Sequence, residues 1–238
     1  MRVLAFADTH APKHVSLLAE SLGRLRLEGV ELVLVAGDVV ARGEWAACRQ
    51  VEAVLRRFLP GVPAYGTFGN EDFEEVRGRI REECTEVVWL EDEAVDVEVG
   101  GTRVRIVGTP GVLDRPTRWQ ERNVPGIRGV YEARLERVRE LLSHPSGSLK
   151  ILVTHYPPRC GTLRGEDPRF WEEMSSARLA GVVAGSGVDL VVHGHLHRSV
   201  VHRDYIGSTP VYNVSLPAVK SAVIIEVRRA GLGAFLGP

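Results

Sequence analysis

Short apolar runs that stop abruptly at a polar block constrain this chain more than any other feature. Val3 to Ala7 ends in Asp8-Thr9-His10, Leu32 to Ala36 in Gly37-Asp38, and a run over about Ala64 to Phe68 in Gly69-Asn70. Further on, Ile151 to Thr154 delivers His155, and Leu190 to Val192 delivers Gly194-His195-Leu196-His197. A short unbroken apolar run is the pattern of a strand covered on both faces. Such strands belong to parallel sheets, and groups that follow them collect at the carboxyl ends of the strands.

The intervening segments support this reading. Val15, Leu18, Leu22 and Leu25 recur at helical spacing over His14 to Leu27, with Pro12 suited to the first turn and Gly29 as the stop. Trp45 to Leu59 reads as a second helix, closed by Pro60 and Gly61, and Phe73 to Glu83 as a third. The texture then changes. Val95, Val97 and Val99 alternate, Gly100-Gly101 follows, and Val104 and Ile106 resume, which predicts a hairpin and either a second sheet or an antiparallel extension of the first. Thr109 to Gly129, rich in Pro, Gly and Arg, reads as a long loop over the site. Helices are predicted at Val130 to Leu142 and Ser175 to Ala184, with a polar connection at Leu163 to Trp171. His155-Tyr156-Pro157-Pro158 cannot continue a strand, so His155 lies on a turn. Short strands at Val200 to Arg203, Val211 to Val214 and Ala222 to Val227 close the chain.

Residues from Asp8 to His197 must converge if they share one site. No independent boundary can then fall between them, and a single α/β domain over residues 1–238 is the expectation. A hydrophobic content of 44% is enough for an ordinary packed core. A net charge of −1 argues against a chain devoted to coating nucleic acid. Cys48, Cys84 and Cys160, odd in number and far apart, predict reduced thiols in a cytoplasmic setting rather than a disulfide framework. The apolar run before Asp8 is too short for a signal-peptide core, and no run approaches the roughly 18 residues needed to span a bilayer.

Taken singly, each polar block has an ordinary explanation. Asp8 could cap a helix, Asp38 could serve a turn, Asn70 could cap the helix after it, and His155 could be a satisfied histidine at a strand end. Taken together they supply only oxygen and imidazole nitrogen, the donor set that suits divalent first-row metals. Asp8 and His10 on one tight loop can present a carboxylate and an imidazole to the same ion. Asp38, at an adjacent strand end, can bridge two ions about 3.5–4 Å apart. His195 and His197, beside a glycine that permits close backbone approach, form the least ambiguous block.

Order, residue types and setting resemble the calcineurin-like metallophosphoesterases, whose blocks read D-x-H, G-D, G-N-H, H and G-H-x-H. The resemblance implies an α/β fold, a four-layer α/β/β/α sandwich of two mixed β-sheets flanked by helices. It implies that Asp8, His10, Asp38 and His197 hold one divalent ion, and Asp38, Asn70, His155 and His195 the other. Either can be Mn, Fe, Ni or Zn, since this donor set accepts each. Asp38, Asn70 and His195 would act at the phosphoryl group. A hydroxide shared by the ions would attack phosphorus in line, hydrolysing a small-molecule or nucleotide phosphate ester, a diester rather than a monoester. No membrane partner is implied. A nuclease related to the double-strand-break repair enzymes is an alternative that the charge balance does not favour. The other alternative is a non-catalytic metal-binding scaffold resembling the retromer subunit.

Glu71 departs from the family pattern, standing where the third block usually has a histidine that protonates the leaving group. An exposed glutamate titrates near about 4.3, and lifting it to about 6–7 beside two cations is unfavourable. Glu71 is therefore read as a first-turn helix residue, where negative charge is welcome, and the leaving group departs without a dedicated acid. Asp72 matches the acidic residue that often follows. His193 is expected to face the core or support the ligands, with His14 and His202 near the opening. Arg115, Arg118, Arg122 and Arg128 are expected in surface ion pairs, and Trp119, Tyr156 and Trp171 in packing.

Overall fold

Successive side chains of a strand point to opposite faces, and this decides the layering. In the computed structural model, which describes residues 1–144 and 148–227, the first apolar run forms strand β1 (Arg2–Phe6). Leu4 and Phe6 join one buried cluster, and Val3 and Ala5 another on the opposite side. The chain continues through α1 (Val15–Arg24), β2 (Leu32–Ala36), α2 (Cys48–Phe58), β3 (Ala64–Thr67), α3 (Glu74–Glu83) and β4 (Val87–Trp89). It goes on through β5 (Glu93–Val99), β6 (Thr102–Thr109), α4 (Arg118–Asn123), α5 (Ile127–Ser143), β7 (Leu149–Thr154) and α6 (Ala177–Gly185). It then forms β8 (Leu190–His193), β9 (Arg203–Ile206), β10 (Thr209–Asn213), α7 (Leu216–Val219) and β11 (Val223–Glu226).

Two mixed sheets result. One has the order β11-β1-β2-β3-β4, with β1 to β4 parallel and β11 antiparallel to β1. The other has the order β5-β6-β7-β8-β10-β9, parallel from β6 to β10 and antiparallel at both edges. Val3, Ala5, Leu32 and Leu34 of the first sheet meet Ile106, Ile151, Val153 and Val192 of the second in a shared core. Outside the first sheet, Leu18 and Leu22 of α1 and Val51 and Leu55 of α2 cover its outer face. Outside the second, Leu135, Val138 and Leu142 of α5 and Leu179 and Val183 of α6 do the same. These clusters are the interfaces of the four-layer α/β/β/α sandwich that the family resemblance implies.

Departures from the sequence reading are local. The predicted loop at Thr109 to Gly129 contains α4 and the start of α5. The Thr117 hydroxyl accepts the Gln120 N–H, and the Gln120 side chain accepts the Thr117 N–H in return, so a capping box starts α4 within polar sequence. The Leu163 to Trp171 connection includes turns of 3-10 helix, at Gly161–Leu163 and Pro168–Glu173. A similar turn, Trp45–Ala47, precedes α2. The strand expected at Val200 starts instead at Arg203, leaving Val200 exposed. β4 and α7 are too short for any periodicity to reveal them.

The expectation of three reduced thiols is corrected as well. Cys48, at the start of α2, is bonded to Cys84, just beyond α3, with Cα atoms 6.2 Å apart, and Cys160 is the free cysteine. Their separation of 36 residues conceals the pair in the sequence, because it is the packing of α2 beside α3 that closes the gap. Among the described residues, no helix is long and apolar enough to cross a membrane.

Ile106 is fully buried between the sheets. Ile106→Ala removes apolar contacts and leaves a cavity that the two sheets cannot close, so it is expected to cost about 2–5 kcal/mol. A denaturant titration against wild type measures this, and a loss below about 1 kcal/mol would contradict a tightly packed inter-sheet layer.

Candidate metal centre

Each polar block leaves a strand at its carboxyl end. Asp8 follows β1, Asp38 follows β2, Asn70 follows β3, His155 follows β7, and His195 follows β8. The first three strands lie in one sheet and the last two in the other, so face-to-face packing brings all the blocks to one edge of the sandwich. Backbone contacts then lock the loops together. The Asp8 N–H donates to the Gly37 carbonyl at 3.0 Å and the His10 N–H to the Asp38 carbonyl at 2.9 Å. The His195 N–H donates to Asp8 Oδ2 at 3.0 Å.

Backbone strain gathers at the same place. Asp8, His10, Asp38 and His195 hold φ values of 57°, 38°, 49° and 70°. This left-handed region is one that residues other than glycine seldom occupy, at a cost of order 1–3 kcal/mol each. Two glycines are required by close approach. A Cβ on Gly69 would lie 2.1 Å from Asp38 Oδ1, and one on Gly194 would lie 2.8 Å from Asp8 Oδ2.

The donor atoms fall into two groups. His10 Nε2 lies 3.4 Å from His197 Nε2, 3.9 Å from Asp8 Oδ1 and 3.8 Å from Asp38 Oδ2. His197 Nε2 lies 3.3 Å from Asp8 Oδ1. On the other side, His155 Nε2 lies 3.1 Å from Asn70 Oδ1 and 3.5 Å from Asp38 Oδ2. Asp8, His10 and His197 make one trio whose ligand atoms all lie within 4.8 Å of one another, and Asp8, Asp38 and His155 make a second. The His195 ring packs edge-on against His155 with centroids 5.1 Å apart. All seven residues singled out in the sequence therefore converge.

These groups are suited to facing a cation. Asp8 Oδ1 is buried without a hydrogen-bond partner, an expensive state for a carboxylate oxygen. His155 Nδ1 lies 3.0 Å from the Ala36 carbonyl, which only accepts, so this nitrogen carries the proton. Burial pushes the His155 imidazole down to about 4, leaving Nε2 with a bare lone pair aimed at the oxygens of Asn70 and Asp38. Burial raises the Asp38 carboxyl well above its ordinary value, and the charges of Asp72 and Asp8 push it the same way. Burial would also raise Asp8, but the imidazoles of His197 and His155 outweigh it and hold this carboxyl below the usual range. Carboxylates crowded into one buried pocket are a charge imbalance that divalent ions relieve.

Exposure marks the way in. Asp8, Asp38 and His155 are buried, whereas Asn70 and His197 are exposed, so the site opens past these two. Supporting residues surround it. His193 faces inward as expected, with Nδ1 on the Gly194 carbonyl and Nε2 on the Thr162 hydroxyl. The ring of Tyr156 stands 4.8 Å from that of His195, and its hydroxyl accepts from Gln120 at 3.1 Å. His14 lies 6.2 Å from His10, ring to ring, while His202 turns to the Ser199 carbonyl. Arg115 pairs with Glu172 and Glu173, and Arg128 with Glu121; the Trp171 indole donates to the Glu166 carbonyl, whereas Trp119 is exposed rather than packed.

Three roles escaped the sequence reading. Buried Asp72 accepts N–H groups from Gly69, Val40 and Val39 at 2.8, 3.0 and 3.3 Å, tying the loop after β2 to the loop after β3. Burial lifts its carboxyl to about 6 against those stabilising donors. Asn213 holds the His195-His197 loop by donating to the Leu196 carbonyl at 2.9 Å. Glu71 is not in the first turn of a helix, because α3 begins only at Glu74, with Phe73 at its cap. It sits in the loop, donating its N–H to Asp38 Oδ1 at 2.7 Å and accepting the Arg42 N–H at 3.0 Å.

The chain matches the calcineurin-like phosphoesterase family over residues 1–199. A UDP-2,3-diacylglucosamine hydrolase of Vibrio cholerae is 26% identical over 213 residues, 85% of this chain and 84% of that protein. Among solved structures, the NAD nucleotidase of Haemophilus influenzae shares the fold with a TM-score of 0.53 at 14% identity, over 95% of this chain and 55% of that one. A sulfate thiohydrolase of Thermus thermophilus gives 0.51 at 17% identity, over 91% of this chain and 52% of that one. The chain spans about half the length of these two structures, and similarity at such identity concerns the fold alone. Because the family match runs from β1 past His197, it takes in every block at the sheet edge, and the chain belongs to the calcineurin-like phosphoesterases and is a metal-dependent phosphoesterase.

Proposed function

We propose that this enzyme uses two divalent ions to hydrolyse small phosphate esters or nucleotides, diesters more readily than monoesters. The observation that supports it best is the position of Asp38 Oδ2, 3.8 Å from His10 Nε2 and 3.5 Å from His155 Nε2. One oxygen thus stands between two sets of donors, as a bridging carboxylate must. In this reading Asp8, His10, Asp38 and His197 hold one ion, and Asp38, Asn70, His155 and His195 the other, each Mn, Fe, Ni or Zn. When bound, such a pair activates a water near neutral pH for in-line attack and offsets the charge that builds on the phosphoryl oxygens.

The chain's own part is placement. Backbone N–H groups fix one oxygen of each carboxylate, Asp8 Oδ2 through His195 and Asp38 Oδ1 through Glu71, leaving the second oxygen for the ions. Asn70 turns Oδ1 inward to His155, which leaves its amide N–H₂ for the ester at the exposed mouth. His195 is wedged between His155 and Tyr156, so its ring is oriented before substrate arrives. Glu71, partly exposed beside the opening, adds a negative charge there, and this repels a monoester dianion more than a diester monoanion.

Asp38→Ala removes the proposed bridge. It is expected to lower kcat/KM for an aryl phosphodiester by about 10³-fold or more, equivalent to roughly 4 kcal/mol of transition-state stabilisation. Stripping wild type with a chelator should abolish turnover, and Mn²⁺ should restore it. Undiminished hydrolysis by the variant would sink the reading. With no imidazole at position 71 to protonate the leaving group, aryl esters should also outpace alkyl ones. Across a graded series of phosphodiesters, log kcat/KM is expected to fall as leaving-group pKa rises, and a flat series would show that another residue supplies the proton.

A further inference from the structure

His10 meets the other candidate ligands through Nε2, and its second nitrogen faces away from them. That nitrogen, Nδ1, lies 3.5 Å from Glu71 Oε2, on the side opposite Asp8 and Asp38. The Glu71 carboxylate is itself held in place, since the same Oε2 accepts the Arg42 N–H at 3.0 Å. Its main chain is fixed too. The Glu71 N–H donates to Asp38 Oδ1 at 2.7 Å and its carbonyl accepts the Gly43 N–H at 2.9 Å. One residue thereby touches two candidate ligands from opposite ends, Asp38 through the backbone and His10 through the side chain.

We propose that Glu71 is a positioning residue for His10 rather than an acid for the leaving group. This rests on the two-ion reading above. An imidazole that coordinates through Nε2 must keep its proton on Nδ1, and a carboxylate facing Nδ1 selects that tautomer, fixes the ring plane and strengthens the nitrogen as a donor. His155 is governed differently, since its Nδ1 meets the neutral Ala36 carbonyl at 3.0 Å. His10 is held at φ 38°, a strained backbone, and its Nδ1 meets a charged carboxylate where that of His155 meets a neutral carbonyl. The family's third block, which usually places a histidine at this position, has been converted here into a brace for the first block.

The test is metal binding by the full chain. Stripped protein is titrated with Mn²⁺ by calorimetry and with Co²⁺ by visible absorption. Wild type is expected to take up two equivalents. Glu71→Ala should weaken one of the two by about 10–100-fold, leave the other unchanged, and shift the cobalt spectrum of the weakened site. Glu71→Gln keeps an oxygen for the Arg42 and His10 protons but no charge, and should recover only part of the loss, whereas a merely structural role predicts full recovery. At saturating Mn²⁺, the leaving-group dependence of Glu71→Ala should keep the wild-type slope. Wild-type affinity at both sites of Glu71→Ala overturns the assignment, as does a steeper slope, which would make Glu71 the proton donor. A wild-type chain that binds fewer than two equivalents overturns the two-ion reading itself, and the brace with it.

Discussion

Two contacts that cross between the sheets are what the site depends on. The His195 N–H reaches Asp8 Oδ2, and His155 Nδ1 reaches the Ala36 carbonyl, so two histidine loops of the second sheet are fastened to the ends of β1 and β2 in the first. Apolar packing between the sheets is non-directional and would tolerate some sliding. These polar contacts are directional, and in a buried setting they are costly to break. They convert a hydrophobic interface into a fixed register, and only a fixed register can bring donors from both sheets to within a few ångströms of one another.

The geometry is held against local preference. Four site residues other than glycine adopt left-handed backbone, and each would relax if it were released. Asp72 supplies much of the restraint on the first sheet's side, gathering three backbone N–H groups from two loops onto one buried carboxylate. Burying this carboxylate costs desolvation that its three backbone donors offset, and what it adds is a fixed arrangement of the two loops.

Much of this could be read in the sequence because the signals were repeated. Five apolar runs, each ending in a donor, are a pattern that a strand-end site explains and chance does not, and the same alternation that hides in an unbroken run such as Val3 to Ala7 produces the layers. What escaped had no repetition to reveal it. Asp72 and Asn213 are single residues whose partners lie across loops, and their value exists only in three dimensions. The Cys48–Cys84 bond needed α2 and α3 to be packed before the pair could be seen. Glu71 was misread because a carboxylate shortly before a helix ordinarily serves the helix end, whereas this loop turns it toward His10.

The chain's net charge of −1 also bears on how a substrate is drawn in. A net charge this small offers little overall attraction to an anion, so attraction has to be generated locally, at the site. Without ions, Asp8, Asp38, Asp72 and Glu71 make that edge of the sandwich repellent to a phosphate ester. Two divalent ions would reverse the sign locally, and only over distances comparable with the roughly 8–10 Å reach of charge in physiological salt. Under the two-ion reading, occupancy by metal and affinity for substrate become one equilibrium, and the residues that set the first, His10 and its neighbours on the loop, set the second through it.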